Sequence, residues 1–403
     1  MTATPDFRSP EFLLGHIRHT MAFYEGRCLD PSGGFFHFFK DDGTVYDRRT
    51  RHLVSSTRFI FNHAMAWRRF GDPAHQAAAR HGLRFLRTAH AQPQGGYAWQ
   101  IDWDGERQVA TVQDGTNHCY GLAFVLLAHA HALMAGLEEA RDGLAATFEL
   151  MEARFWEPAH GLYADEATPD WQVGPYRGQN ANMHACEAMI AAWDATREPR
   201  YLDRALTLAT SITQRQAGRA GGLVWEHHHA DWSVDWDYNR DDRTNIFRPW
   251  GYQTGHLTEW TKLLLQLETH LPAERRPDWL LPTARHFFDT AMQRGWDPVH
   301  GGLVYGFGPD GVVCDGDKYF WVQAESLAAA ALLALRTGDP ECWAWHDRLW
   351  AYSWAHLVDH VHGAWYRILT PDNRRISDEK SPAGKTDYHT MGACHDVLRG
   401  LGA

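Results

Sequence analysis

The chain has 403 residues, 44% of them hydrophobic and 22% charged, with a formal net charge of -11. That balance supports a large buried core and excludes disordered and fibrous classes. The acidic sum, with Lys and Arg scattered along the chain, excludes the basic footprint of a nucleic-acid binder. Met1 to Phe12 lacks the basic and apolar segments of a secretory signal, and no stretch reaches the length of a membrane span, so a cytoplasmic protein without membrane contact is expected. Cys28, Cys119, Cys186, Cys314, Cys342 and Cys394 contain no Cys-X-X-Cys pair, which points to reduced thiols rather than a zinc or disulfide framework. The 19 Trp and 26 His are the unusual feature, since both rings carry a polar handle suited to sugars or proton transfer. Most of the Trp are expected to fill the core.

A glycine mark followed at once by apolar residues in strand-like alternation recurs along the chain. It reads Gly33-Gly34-Phe35-Phe36, Gly95-Gly96-Tyr97, Gly161-Leu162-Tyr163, Gly221-Gly222-Leu223, Gly301-Gly302-Leu303 and Gly363-Ala364-Trp365. The last glycines stand at 34, 96, 161, 222, 302 and 363, so the intervals are 62, 65, 61, 80 and 61 residues. Between the marks, apolar residues recur at three and four positions, as in Ser56 to Phe70 and Pro73 to Ala89, and predict paired helices. Gly71-Asp72-Pro73 and Gly338-Asp339-Pro340 stop one helix and start the next. The long interval contains Asp231 to Arg248, expected to be an insertion or a lid over one mouth. A helical hairpin cannot bury its apolar face alone, and six of them favour closure into a ring. The expectation is one all-α domain over residues 1–403, an (α/α)6 barrel with short β-hairpin loops at one mouth. Its funnel would be lined by the starts of the inner helices.

Candidate chemistry sits at loop-to-helix junctions. Arg58 is a lone charge in an apolar run, and Tyr120 opens a similar one. In Gln179 to Glu187, Asn180 offers an amide that both donates and accepts, and His184 and Glu187 are three apart on one helical face. Glu226-His227-His228-His229 looks like a metal cluster, but neighbouring side chains of an extended segment point to opposite faces. It is read as loop surface. His256 and Glu259 repeat the three-residue spacing, so the carboxylate is expected to orient the imidazole or bind hydroxyls beside it. A first-turn His and Glu are also what helix capping selects. Gly306 to Gly311 fits G-x-G-x-x-G, but Pro309 and Asp310 make it a hairpin turn and no helix follows, which removes a dinucleotide reading. Trp321 and Glu325 stand one turn apart, pairing an apolar face for sugar C–H groups with a hydroxyl acceptor. His389, at another junction, is the leading base candidate.

The stretches Arg248 to Trp260, Lys318 to Glu325 and Lys385 to His389, with the sixfold repeat, resemble bacterial aldose-ketose isomerases, mannose isomerases among them, of the N-acylglucosamine 2-epimerase superfamily. The resemblance covers the whole chain. It implies an (α/α)6 barrel with two catalytic histidines, here His256 and His389, and no metal or organic cofactor. Arg58, Tyr120, Asn180, His184, Glu259, Trp321 and Glu325 match the family's substrate-pocket positions. Leu122 departs from it, since close relatives are expected to carry a histidine after Tyr-Gly. The implied reaction interconverts mannose and fructose, with lyxose and xylulose as a further pair, by histidine-mediated proton transfer through a cis-enediol. The partner is then a free monosaccharide, and a homo-oligomer is left open. A sugar 2-epimerase would use the same pocket to return the proton to C2. An inverting glycoside hydrolase relying on Glu259 and Glu325, or a sugar-binding protein without catalysis, would also fit these residues.

Overall fold

Twelve long helices frame the computed structural model, which describes residues 5–242, 245 and 248–403. They are α1 (Pro10–Tyr24), α2 (Leu53–Phe70), α3 (Pro73–Phe85), α4 (Cys119–Met134), α5 (Arg141–Arg154), α6 (Gln179–Thr196), α7 (Pro199–Thr210), α8 (Thr254–His270), α9 (Leu280–Gly295), α10 (Phe320–Thr337), α11 (Pro340–His356) and α12 (Tyr388–Gly400). The even-numbered helices pack side by side, and α12 returns to α2, so they close an inner ring. Each packs against an outer partner, α3, α5, α7, α9 and α11 in turn, and the last outer place is taken by the N-terminal α1 against α12.

Sequence separates the two rings. α4 and α10 are apolar nearly all round, with Leu122 to Ala130 and Gln323 to Ala331 buried, as a helix enclosed on every side requires. The outer α7 buries Tyr201, Leu202, Ala205, Leu208 and Ala209, one stripe at helical spacing. The Gly-Asp-Pro connections work as predicted. Gly71 and Gly338 take positive φ of 71° and 74°, Asp72 and Asp339 cap the next helix, and proline fills its first position. α3 stops at Phe85 rather than Ala89, and the chain continues through one wider turn over Leu86–His90.

The glycine marks form the hairpins of one mouth. The residues just before an inner helix pair antiparallel with the strand after the next mark: Thr50–His52 with Gln100–Asp104, Asn117–His118 with Glu166–Ala167, and Arg177–Gly178 with His227–His228. Tyr252–Gln253 with Gly306–Phe307 and Lys318–Tyr319 with Ile368–Leu369 continue the series. Phe38–Lys40 with Glu379–Ser381 joins the two ends of the chain and completes the circle. Gly306 to Gly311 is a hairpin turn, as expected. Arg243, Thr244, Ile246 and Phe247 of the inserted segment lie outside the described residues. The described part reaches the mouth through Arg248, which binds Asp165 at 3.2 Å and Glu166 at 2.5 Å. None of the six cysteines forms a disulfide, and among the described residues no helix is long and apolar enough to cross a membrane.

Candidate active site

One register places the site. The second and sixth residues of each inner helix lie one turn apart on the face toward the barrel axis. They are Val54 and Arg58 in α2, Tyr120 and Phe124 in α4, Asn180 and His184 in α6, Gly255 and Glu259 in α8, Trp321 and Glu325 in α10, and His389 and Ala393 in α12. A funnel of about 480 Å³ opens above them, and Arg58, Tyr120, Asn180, His184, His256, Glu259, Trp321 and His389 all line it. Glu325, expected to bind substrate, does not. It lies behind His389 and lines a second cavity of about 490 Å³ toward the opposite end of the barrel.

His256 is the third residue of its helix, with Gly255 in the axial place. A Cβ on Gly255 would stand 2.3 Å from the Trp321 ring, so this glycine is what lets the indole lie across α8. Trp321 then sits between the imidazoles of His256 and His389, with ring centroids 5.0 and 5.7 Å away and both rings tilted by 37°.

Each imidazole is backed by a buried carboxylate. Glu325 Oε1 is 2.7 Å from His389 Nδ1, and Lys262 Nζ lies 2.6 Å from its other oxygen. Burial pulls the Lys262 ammonium down, but Glu325, Asp396, Glu187 and Glu259 more than restore it, so it stays charged. The Arg58 guanidinium donates to the Gly384 carbonyl, to the Tyr120 hydroxyl at 3.1 Å and to His389 Nε2 at 3.3 Å. A guanidinium only donates, so Nε2 presents its lone pair and Nδ1 carries the proton. Burial, with Arg58 alongside, holds His389 well below the ordinary imidazole pKa, and the ring is neutral at pH 7.

The expected pairing of His256 with Glu259 is not what forms. His256 Nδ1 meets Glu226 Oε1 at 2.8 Å, on the adjacent hairpin. Glu259, three residues along, points further down the axis, 3.7 Å from His184, and among the described residues neither oxygen has a hydrogen-bond partner. Burial, reinforced by Glu325, lifts its pKa well above the carboxylate range, so it is a neutral acid facing the funnel. The His184–Glu187 pair does form, at 3.0 Å, and Glu187 also accepts from the Tyr388 hydroxyl. Among the described residues the Asn180 amide oxygen has no hydrogen-bond partner. Leu122 is buried in the barrel wall.

The histidine run at 227–229 is a second correction. His227 and His228 are buried, at 1% and 2% exposure, rather than on a loop surface. Their strand pairs with Arg177–Gly178, and the His227 ring spans the Pro249 carbonyl and the Tyr176 hydroxyl. Glu226 was read as loop surface, and no role was given to Gln179 or Lys262 from the sequence. A usable signal was present for Glu226, because the fourth residue past three of the six marks is charged: Asp165, Glu226 and Arg367. Lys262 has no such signal, since only packing shows that it faces Glu325.

Three groups bring donor atoms close enough for a cation: His118 with Asp165 and Glu166, His184 with Glu187 and Glu259, and Glu259 with Glu325 and His389. In two of them the protein supplies its own cation, Arg248 on Asp165 and Glu166, and Lys262 on Glu325. In the group of His184, Glu187 and Glu259, the Glu187 oxygens are engaged by His184 and Tyr388.

This barrel and this pair of carboxylate-backed imidazoles define a class. The family model for N-acylglucosamine 2-epimerase matches residues 34–393, and the chain belongs to that family. Within it, the chain is 55% identical over 399 residues to the D-mannose isomerase of Marinomonas mediterranea, covering 98% of this chain and 99% of that one. A crystal structure of D-mannose isomerase superposes with a TM-score of 0.95 at 54% identity, over 98% of this chain and all of that one. The cellobiose 2-epimerase of Spirochaeta thermophila superposes with a TM-score of 0.85 at 25% identity, over 100% and 99% of the two chains.

Proposed function

We propose that this protein is a D-mannose isomerase, converting D-mannose to D-fructose and back. The observation that carries the reading is the placement of two imidazoles on either side of one indole face in a single funnel, each with a buried carboxylate at Nδ1. The similarity to proteins named D-mannose isomerase supports the choice of sugar.

In the open-chain aldose, His389 Nε2 removes the proton on C2. The C2–H electron pair forms the C1=C2 bond while the carbonyl pair moves onto O1, which takes a proton and gives the cis-enediol. In the second half, O2 gives up its proton and the carbonyl forms at C2. The double-bond pair then takes the His389 proton at C1. Charge develops on O1 and O2 in turn. Arg58, fixed above the Phe124 and Tyr388 rings at 4.4 and 4.8 Å, is positioned to stabilise it, while His184, whose Nδ1–H goes to Glu187, offers its Nε2 lone pair to a sugar hydroxyl. Glu259, as a neutral acid, donates to a sugar hydroxyl, Asn180 accepts from another, and the Trp321 face receives the C–H side of the sugar. His256 moves the proton that opens the pyranose ring.

The test is product identification from D-mannose. Fructose, with unchanged rate in the presence of a chelator, is expected. In heavy water deuterium should enter C1 of fructose wherever the His389 proton exchanges before delivery. Glucose without fructose makes the protein a 2-epimerase, and loss of activity on chelation ends the metal-free reading.

A further inference from the structure

Glu226, read from the sequence as part of a loop surface, is buried directly behind His256 with both carboxylate oxygens engaged. It is 3% exposed, and its Oε1 lies 2.8 Å from His256 Nδ1. The Gln179 amide nitrogen stands 3.2 Å from Oε1 and 3.0 Å from Oε2 and donates to that carboxylate. Gln179 is itself oriented, because the Trp260 indole N–H donates to its Oε1 at 2.9 Å. An indole nitrogen only donates, so the amide has one orientation and its NH2 faces Glu226. An ionised carboxylate only accepts, so the 2.8 Å contact requires His256 Nδ1 to carry the proton and give it to Glu226, with the Gln179 amide nitrogen 3.0 Å from the same ring nitrogen. The bare Nε2 is left for the funnel.

The two dyads therefore differ in charge. Behind His389 the carboxylate is neutralised by Lys262. Behind His256, among the described residues, no Lys or Arg lies within ion-pair distance of Glu226, and its side-chain partners are an amide and the imidazole itself. An uncompensated carboxylate acts fully on positive charge that develops on the ring during reaction, while one already paired with a cation contributes less.

We propose that Glu226, held by Gln179 and Trp260, is the positioning residue of His256 and equips it for ring opening. His256 Nε2 takes the proton from O1 of the pyranose as the C1–O5 bond breaks. The O1–H electron pair becomes the carbonyl, the C1–O5 pair goes to O5, and His256 returns the proton there. During this step the imidazolium is stabilised by Glu226. No C2 bond changes, so the step by itself interconverts the α and β anomers of mannose. Ring opening by His256 and carbon proton transfer by His389 are then separable activities of one funnel.

The proposal rests on the reading of His256 and His389 as the reacting pair, and anomer interconversion tests it apart from fructose formation. H389N should form no measurable fructose and still speed anomer interconversion of D-mannose, followed by polarimetry or by proton NMR of the C1 signals. Adding E226Q should slow that interconversion on the order of 100-fold, with E226D recovering part of it. Nitrogen NMR of His256 should show the Nδ1–H form in the native protein and a mixture of tautomers in E226Q. If E226Q keeps anomer interconversion within twofold and the tautomer is unchanged, the proposal is overturned. Should E226Q not fold, Q179L frees the carboxylate while keeping it, and the same two readings decide. Native protein that interconverts anomers but makes no fructose would end the isomerase reading and leave the role of Glu226 standing.

Discussion

Four carboxylates, Glu187, Glu259, Glu325 and Asp396, surround a single buried ammonium, Lys262, at the centre of the ring. One positive charge cannot balance four negative ones in a desolvated space, and the residues divide the problem. Against its burial, the His184 hydrogen bond, the Lys262 charge and the Tyr388 hydroxyl hold Glu187 ionised, with a pKa below the usual range. Glu259, with no such donor, keeps its proton. A Glu whose folded pKa is raised binds its proton more tightly folded than unfolded, so its contribution to stability falls as pH rises from about 4.3 toward the folded value. E259Q removes that penalty and retains an N–H donor for the sugar. It should unfold at a higher temperature than the native protein at pH 8, with the difference shrinking toward pH 4, and keep kcat/KM within about tenfold. E259L, which donates nothing, should lose about 10- to 100-fold.

At the level of the element, an inner helix offers the axis two residues, the second and the sixth, and the hairpin before it fixes where that count begins. His256 escapes the register because Gly255 gives up its axial place to the Trp321 ring. G255A puts a methyl group where Trp321 packs, so the indole must shift. Because the sugar and both imidazoles meet that indole, kcat/KM should fall on the order of 100-fold. The overpacking itself should lower stability by about 1–3 kcal/mol. Paired measurement of steady-state kinetics and thermal unfolding distinguishes displacement of the indole from general damage. Wild-type kinetics would mean that Trp321 position is unimportant. The inner-helix starts were legible in the sequence through the glycine marks, which is why His184, His256 and His389 stood out. The His184–Glu187 pair was legible too, but which carboxylates His256 and His389 meet was not, because Glu226 and Glu325 reach their rings from a different repeat.

For the whole molecule, closure of the ring buries many histidines in an uncharged state. Burial lowers His16, His52, His63, His131, His228 and His395 to about 3, and His90 and His129 to about 4. The unfolded chain protonates these rings near pH 6.5 and the folded chain does not, so their contribution is intact above that pH and is lost as pH falls toward 4. Thermal unfolding followed between pH 7 and 4.5 should show stability dropping by several kcal/mol per pH unit, a steeper fall than carboxylates alone produce. A flat profile across that window would show that these rings are protonated in the folded state. By itself the sequence determined the sixfold repeat, the paired helices and the junctions where reactive side chains stand, because those depend on local periodicity and on glycine and proline geometry. Only the tertiary structure decided that the N-terminal helix completes the outer ring, that Glu226 rather than Glu259 serves His256, and that Lys262 neutralises the carboxylate behind His389. Those contacts join residues 30 to more than 300 positions apart, and nothing but the closing of the ring brings them within a hydrogen bond of each other.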